Sequence, residues 1–370
     1  MNKLIQKLFY LEEDKKVIYP LYTFRFILFI FIFVHHCYGN VQIPFLRQPA
    51  LAVSGFFILS GFLNSYIYLN KVKLKDTISF TIKRIKKMWL LHIVILIITI
   101  GVSGVFNITT SKEMIIFIKK LICNALLLQS WVNDKSYYFS FNGATWFLST
   151  YLFLSLITVP ILCLLKKANN KKHRNLLLIL ISLILFIISL LIVYLLKKGN
   201  YESGFYEYWI YIFPPARIIE YTIGMIFGII YKNNKVSFKY DKMVFSIIEL
   251  ISITLLIWTI NSHVSDKYIF LDDRLNTWII PVIITLLVFS YQKGIFSKLF
   301  SAKITVYLGK ISMYMFIIHQ PLIYYMTRSN GNVIHYRYLA LYMLLLTILI
   351  AYIINNYEVI KTSKKIIKKK

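Results

Sequence analysis

The sequence predicts an all-α membrane protein, a polytopic helical bundle of about ten spans with its amino and carboxyl termini in the cytoplasm. Three observations predict it. Of the 370 residues, 58% are hydrophobic and only 16% are charged, whereas a soluble domain is about 45–50% apolar and about 25% charged. The formal net charge is nevertheless +28, an excess that polytopic proteins collect in their inner loops. The apolar residues also gather in runs of roughly 17–25, the length that crosses a bilayer as a helix. Disorder is excluded, because it needs low hydrophobicity. A disulfide scaffold is excluded too, since Cys37, Cys123 and Cys163 are the three cysteines of the chain and staple nothing. Nucleic acid is not an expected partner, because binding it would need the positive charge on one soluble face.

Ten runs meet the length requirement, near residues 17–38, 50–70, 88–106, 144–165, 175–196, 209–231, 243–261, 276–292, 304–326 and 338–356. The eighth is short, and the ninth carries Lys310 and His319. Residues 114–133 are apolar as well, but Lys119 and Lys120 interrupt them, so they read as an interfacial or re-entrant helix. Charge orients the set. With the amino terminus inside, the inner segments hold 29 of the 43 Lys and Arg residues and the outer segments hold 11, while Arg25, Arg217 and Lys310 fall within spans. A full crossing at 114–133 would invert every later loop and carry the basic cluster of 166–174 outside. Residues 1–16 end in Glu12-Glu13-Asp14-Lys15-Lys16, and no small-residue cleavage pattern follows the first run, so the first span is expected to be retained. No repeat or linker divides the chain, and residues 1–370 read as one domain embedded in the cell membrane. The tail Lys364–Lys370 reads as a solvated anchor at anionic lipid.

Ionisable side chains inside spans are costly and mark function first. In the first span, Arg25 and His36 are eleven residues apart, which is roughly 16 Å of rise and about 1100° of turn, so both project from one stripe. His35 points about 80° away from that stripe. The plainer reading has Arg25 snorkelling to the inner interface. In the second span, SGFFILSGFL (residues 54–63) presents Ser54, Gly55, Ser60 and Gly61 as a small-residue stripe for close helix approach, with Ser60 available as a donor. The following basic segment offers Lys83, Arg84, Lys86 and Lys87, either as topological bias or as a grip on phosphates. Arg217 and Glu220 stand i, i+3 and can neutralise one another. Glu249 has no local partner and marks a polar cavity or a pairing across helices. His319 precedes Gln320-Pro321, and the proline would free a carbonyl one turn back. His92 reads as an interfacial packing residue. With no HExxH or CxxC pattern, a zinc site is not expected.

Arg25 and His36, then GFFILSGFL, FTIKRIKKMWL, ATWFLSTYLFL (144–154), ARIIEYTIGMIFG (216–228) and LGKISMYMFIIHQPLI (308–323) together resemble the integral-membrane acyltransferase-3 family. The resemblance implies transfer of an acyl group, usually acetyl, from cytoplasmic acyl-CoA to a hydroxyl on an extracytoplasmic carbohydrate. It implies that Arg25 and His36 are the essential pair and that the cluster from Lys83 to Lys87 serves the donor. The sequence departs from the family pattern in that cluster, where one Arg is Lys and the usual Pro is Met88. It departs again at Ser149-Thr150-Tyr151, where many members carry Glu. No hydrolase-like second domain is expected after the tenth span.

In this reading His36 is the general base, because an imidazole with a pKa near ~6.5 can take the proton of an alcohol. Arg25 binds the pyrophosphate or orients the pantetheine arm. Ser60, Glu220, Tyr314 and His319 are the candidate substrate-binding residues, and Ser60, Tyr314 and His319 are the alternatives for the oxyanion donor. A covalent acyl-histidine is a second route through the same residue. The expected partners are membrane lipid, acetyl-CoA as acyl donor, a carbohydrate acceptor and other envelope-synthesis proteins, with no metal. Two rival classes remain. One is a carbohydrate exporter or flippase, and the other is a structural subunit of an envelope-synthesis complex.

Overall fold

Prolines at run starts, and turns between runs, decide where each helix begins. The computed structural model describes residues 17–37, 43–102, 109–199, 203–234, 241–262, 268–329 and 336–367. The amino-terminal segment 1–16 and the last three lysines of the tail lie outside the described residues. Eleven helices carry the architecture: α1 (Pro20–His36), α2 (Pro49–Tyr68), α3 (Thr77–Val102), α4 (Ser111–Ala125), α5 (Trp146–Asn169), α6 (Arg174–Lys198), α7 (Ile218–Asn233), α8 (Asp241–Ser262), α9 (Ile279–Ser290), α10 (Lys303–Ser329) and α11 (Tyr336–Ile367). No strand occurs among the described residues. Pro20 and Pro49 open α1 and α2, where a missing N–H costs nothing because that donor has no partner in the first turn.

The centre of the bundle is α2, with 13 of its 20 residues buried against four of the 25 in α6. Its neighbour α7 lies close enough for backbone contact. A Cβ on Gly61 would meet the Tyr221 carbonyl, and one on Gly224 would meet the Ile58 carbonyl. Small residues permit this approach, which dispersion then rewards where water is not available to drive packing. Of the small-residue stripe read in the sequence, Gly61 lies in this interface with α7, whereas Gly55 faces Leu28 of α1 and Ser60 lines a cavity. Around this centre the outer helices turn apolar side chains outward, among them Ile97, Ile187, Ile251 and Leu345. That is the face expected against lipid rather than water.

Among the described residues, six unbroken helices are long and apolar enough to cross a membrane, and a bent pair makes a seventh. The shorter apolar helices are α1 and α9. Three expected elements differ from the sequence reading. The sixth run, 209–231, is not one straight span but Gly204–Ile212 and Pro214–Asn233, bent by 52°. Phe213 is extended there, with ψ 122°, because a residue before proline is pushed out of the helical region. The eighth run, 276–292, yields only the 12 residues of α9, or about 18 Å of helix. The basic segment 71–87 is largely helical rather than loop, since α3 starts at Thr77. Asp76 begins that turn by accepting the Lys73 backbone N–H at 2.8 Å.

The interrupted run 114–133 contains α4, 15 residues long. Thr110 caps it and Glu113 reaches back to the N–H groups of Thr109 and Thr110, hydrogen bonds that hold the Glu113 carboxyl below the usual range. It is tied to α3 near its carboxyl end. Trp89 donates to the Ala125 carbonyl at 2.7 Å, and buried His92 lies 3.0 Å from the Asn124 carbonyl. Glu249 is buried at the join of α8 with the short helix Ile295–Leu299. It accepts the backbone N–H groups of Gly294, Phe296 and Ser297 and the Ser297 hydroxyl, so it fastens two helices across the fold.

Candidate active site

The first helix carries both ends of the site. His36 closes α1, and its Nδ1 stands 2.8 Å from Nε2 of His319 on α10. The other nitrogen of His319, Nδ1, is 2.7 Å from the Phe316 carbonyl. A carbonyl only accepts, so in the neutral ring the His319 proton is on Nδ1 and its Nε2 is an acceptor. His36 then donates through Nδ1–H, and its Nε2 is left as the unprotonated nitrogen. His319 is fully buried, and the rings of Phe29 and Phe316 close on it at centroid distances of 5.7 Å.

Pro321 explains how this segment is held. Lacking an N–H, it leaves the Ile317 carbonyl without its helical donor. The buried Asn142 side chain supplies that donor at 2.9 Å. One residue before the proline, the Gln320 side chain accepts the Ala144 backbone N–H. The carbonyl freed by Pro321, anticipated in the sequence, is thus the dock for residues 142–144.

Two cavities flank this arrangement. The first, about 630 Å³, takes His35 and His36 from α1, and Trp146 and Phe147 from α5. Its charged lining is mixed: Arg47 and Arg274 with Glu207 and Asp273. Arg217 supports its wall from behind, donating to the Tyr211 carbonyl at 3.0 Å and the Arg274 carbonyl at 2.7 Å. Glu220 pairs with Arg217 at 3.1 Å, both side chains fully buried. At the cavity's edge Tyr138 precedes the lining residue Phe139, and burial, with the charges of Glu207 and Asp134 nearby, pushes its phenol up to about 12.

The second cavity, about 440 Å³, gathers Arg25, Lys83 and Arg84 with Tyr22, Ser60 and Tyr151. Its lining holds no carboxylate. Arg84 donates to the Tyr151 hydroxyl and lies 5.6 Å over the rings of Tyr151 and Phe80. Arg25 lies 5.8 Å over Tyr22. The guanidinium groups are thereby held by aromatic faces, with their charge left for a ligand.

The structure therefore joins His36 to His319, and Arg25 to Lys83, Arg84 and Ser60. It places Lys86 and Lys87 on the exposed surface of α3, outside the second cavity's lining. Glu220 and Tyr314 are buried and line neither cavity. Sequence reasoning did not single out Phe147 or Phe316, nor Asn142, Glu207, Asp273 and Arg274. Tyr151 was visible only as a departure from a family pattern. Among the described residues no three His, Cys, Asp or Glu side chains gather as metal ligands.

The family model described as an acyltransferase domain, that of the acyltransferase-3 family, matches residues 21–356. The chain belongs to the acyltransferase-3 family. Both cavities, the histidine pair and all three cations of the second cavity fall within the matched residues. No curated protein and no solved structure matches the chain. It is an acyltransferase built on apolar helices suited to a membrane.

Proposed function

We propose that this acyltransferase moves an acyl group, acetyl in the first instance, from cytoplasmic acyl-CoA to a hydroxyl of a cell-envelope or exported carbohydrate. His36 is the general base. The observation that carries the reading is the pair of cavities served by one helix, one cationic around Arg25 and one of mixed charge around His36. CoA is a polyphosphate, and Arg25, Lys83 and Arg84 with no carboxylate beside them suit it. Sugar hydroxyls are held by carboxylates and guanidinium groups beside aromatic faces. Glu207, Asp273, Arg47 and Arg274 with Trp146 and Tyr211 supply that set.

The bias of basic residues turns the Arg25 end of α1 to the cytoplasm. We read ten crossings of the cell membrane with both termini inside, α1, α9 and α10 included. The donor enters from within and the acceptor from outside, with membrane lipid around the bundle. As the acceptor oxygen attacks the thioester carbonyl, its proton passes to Nε2 of His36. The C–S bond then breaks, and the proton returns to the departing thiolate. His319 orients the base, as a third group does in other nucleophile–base pairs. A covalent acyl-histidine would use the same Nε2 lone pair. Of the three oxyanion candidates, Ser60 is the one that lines a cavity. Family membership favours this reading over an exporter, which needs no acyl donor.

The test is transfer of label from acetyl-CoA to envelope glycans in membranes holding the wild type or His36→Gln. The wild type should label the glycan, and the variant should lose about 10²–10⁴-fold, the usual contribution of a positioned base. Labelling at the wild-type rate by the variant would remove His36 from the chemistry. Glycan crossing the membrane unlabelled would establish the exporter instead.

A further inference from the structure

The two cavities share two lining residues, Phe147 and Phe316. Their rings stand 5.2 Å apart, and Phe56 completes the cluster at 6.0 Å from Phe147 and 6.4 Å from Phe316. Both shared residues are nearly buried although each borders open space on two sides, at 8% and 7% exposed. Neither ring is loose. Phe147 stacks on Phe57 with centroids 4.5 Å apart and planes 14° apart, and Tyr151 lies parallel to it on α5. Phe316 packs on His319, and its own carbonyl accepts the hydrogen bond from His319 Nδ1–H. The wall between the donor cavity and the acceptor cavity is thus an aromatic septum, and one of its rings belongs to the turn that orients the base.

From this we infer that Phe147 and Phe316 determine acyl chain length: they narrow the passage between the two cavities to an aromatic septum, and the acyl end of the donor has to fit at its edge to meet the acceptor. The inference rests on acyl-CoA as donor in the Arg25 cavity and His36 as base in the other. Under that reading the thioester carbonyl has to meet the acceptor hydroxyl at the boundary between the cavities. The phosphates stay with Arg25, Lys83 and Arg84, and the acyl group is the part of the donor that reaches the rings. A close-packed aromatic wall does not give way by a methylene at low cost, and one methylene in a confined apolar pocket discriminates by about 10–200-fold. No charged side chain lies in the septum, so it sorts acyl groups by length and leaves anchoring to the cationic cavity.

The experiment compares acetyl-CoA with butyryl-CoA as donors for the same glycan acceptor, reading the ratio of their kcat/KM values. Wild type should prefer acetyl by about 100-fold or more, from two methylenes of excess length. Phe147→Ala should shrink that preference at least tenfold, and Phe147→Leu and Phe316→Leu should shrink it by smaller steps. A ratio is read within each variant, so a loss of folded protein or of overall rate leaves it unaffected. Should Phe147→Ala give no measurable transfer, the two leucine variants carry the comparison. An unchanged ratio in the active variants, or a wild type that takes both donors equally, overturns the septum while leaving His36 and the donor assignment standing. A wild type that transfers nothing from either acyl-CoA overturns the donor assignment, and the septum with it.

Discussion

The two cavities meet at one wall yet are built for opposite tasks. Around Arg25 the charges have one sign, and aromatic rings rather than carboxylates lie against the guanidinium groups of Arg25 and Arg84. Around His36 both signs occur together, and Arg274 is itself within 3.9 Å of Asp273. A cationic pocket without counter-charges pulls a polyanion from solution and is sensitive to salt. A pocket of paired charges has little net pull, and it positions a neutral polyol by hydrogen bonds instead. In the proposed function, donor affinity and acceptor orientation are therefore separate properties, carried by different side chains although α1, α2, α5 and α10 line both cavities.

That separation can be broken or sharpened by substitution. The largest effect is expected from His319→Ala, which removes the acceptor that fixes the His36 tautomer. Turnover should fall about 100-fold, within the range of a mispositioned base, with the KM for acyl-CoA little changed. If KM moved instead, the histidine pair would belong to donor binding and the division would fail. Next comes Arg84→Ala, expected to raise the KM for acyl-CoA about tenfold or more, the worth of a charge-assisted hydrogen bond, while kcat falls less. Lys86→Ala should move KM by a smaller factor, because Lys86 lies outside the lining; equal effects would show that only net basic charge matters.

Asn142→Ala strips the partner from the Ile317 carbonyl and should cost about 1–3 kcal/mol of stability for the buried orphan, seen as a lower thermal midpoint in detergent. Donor KM should not change, and a changed donor KM would link the dock to the wrong cavity. The smallest effect is ionic. Raising salt from 0.05 to ~0.5 M shortens the screening length several-fold and should raise the acyl-CoA KM a few-fold while sparing the KM of a neutral glycan.

The sequence showed the helical class, the Arg217–Glu220 pair and the carbonyl freed by Pro321. Each of those follows from spacing along a single helix or from the chemistry of one residue type. What it concealed was set by contacts distant in the chain. His36 and His319 are 283 residues apart, and no helical period relates them. Phe147 and Phe316 looked like any apolar residues, since their importance is where two cavities stop. The break at Phe213 was written in Pro214-Pro215 but hidden by an apolar run that continues through it. The role of Glu220 was half visible: its partner was local, while the wall that Arg217 supports is made from carbonyls of Tyr211 and Arg274, the latter 57 residues away.

The dock at Pro321 has a consequence for biosynthesis. His36, the proposed base, sits at the end of α1, but the ring beside it arrives with α10, and Asn142 must wait 175 residues for the carbonyl it binds. A ribosome-bound chain that has threaded α1 through α9 holds the His36 imidazole without its partner His319. Under the proposed role of His36, competence therefore waits for α10. Until then the nascent chain holds a cavity that is still missing the α10 part of its wall and a histidine without the ring that stands beside it.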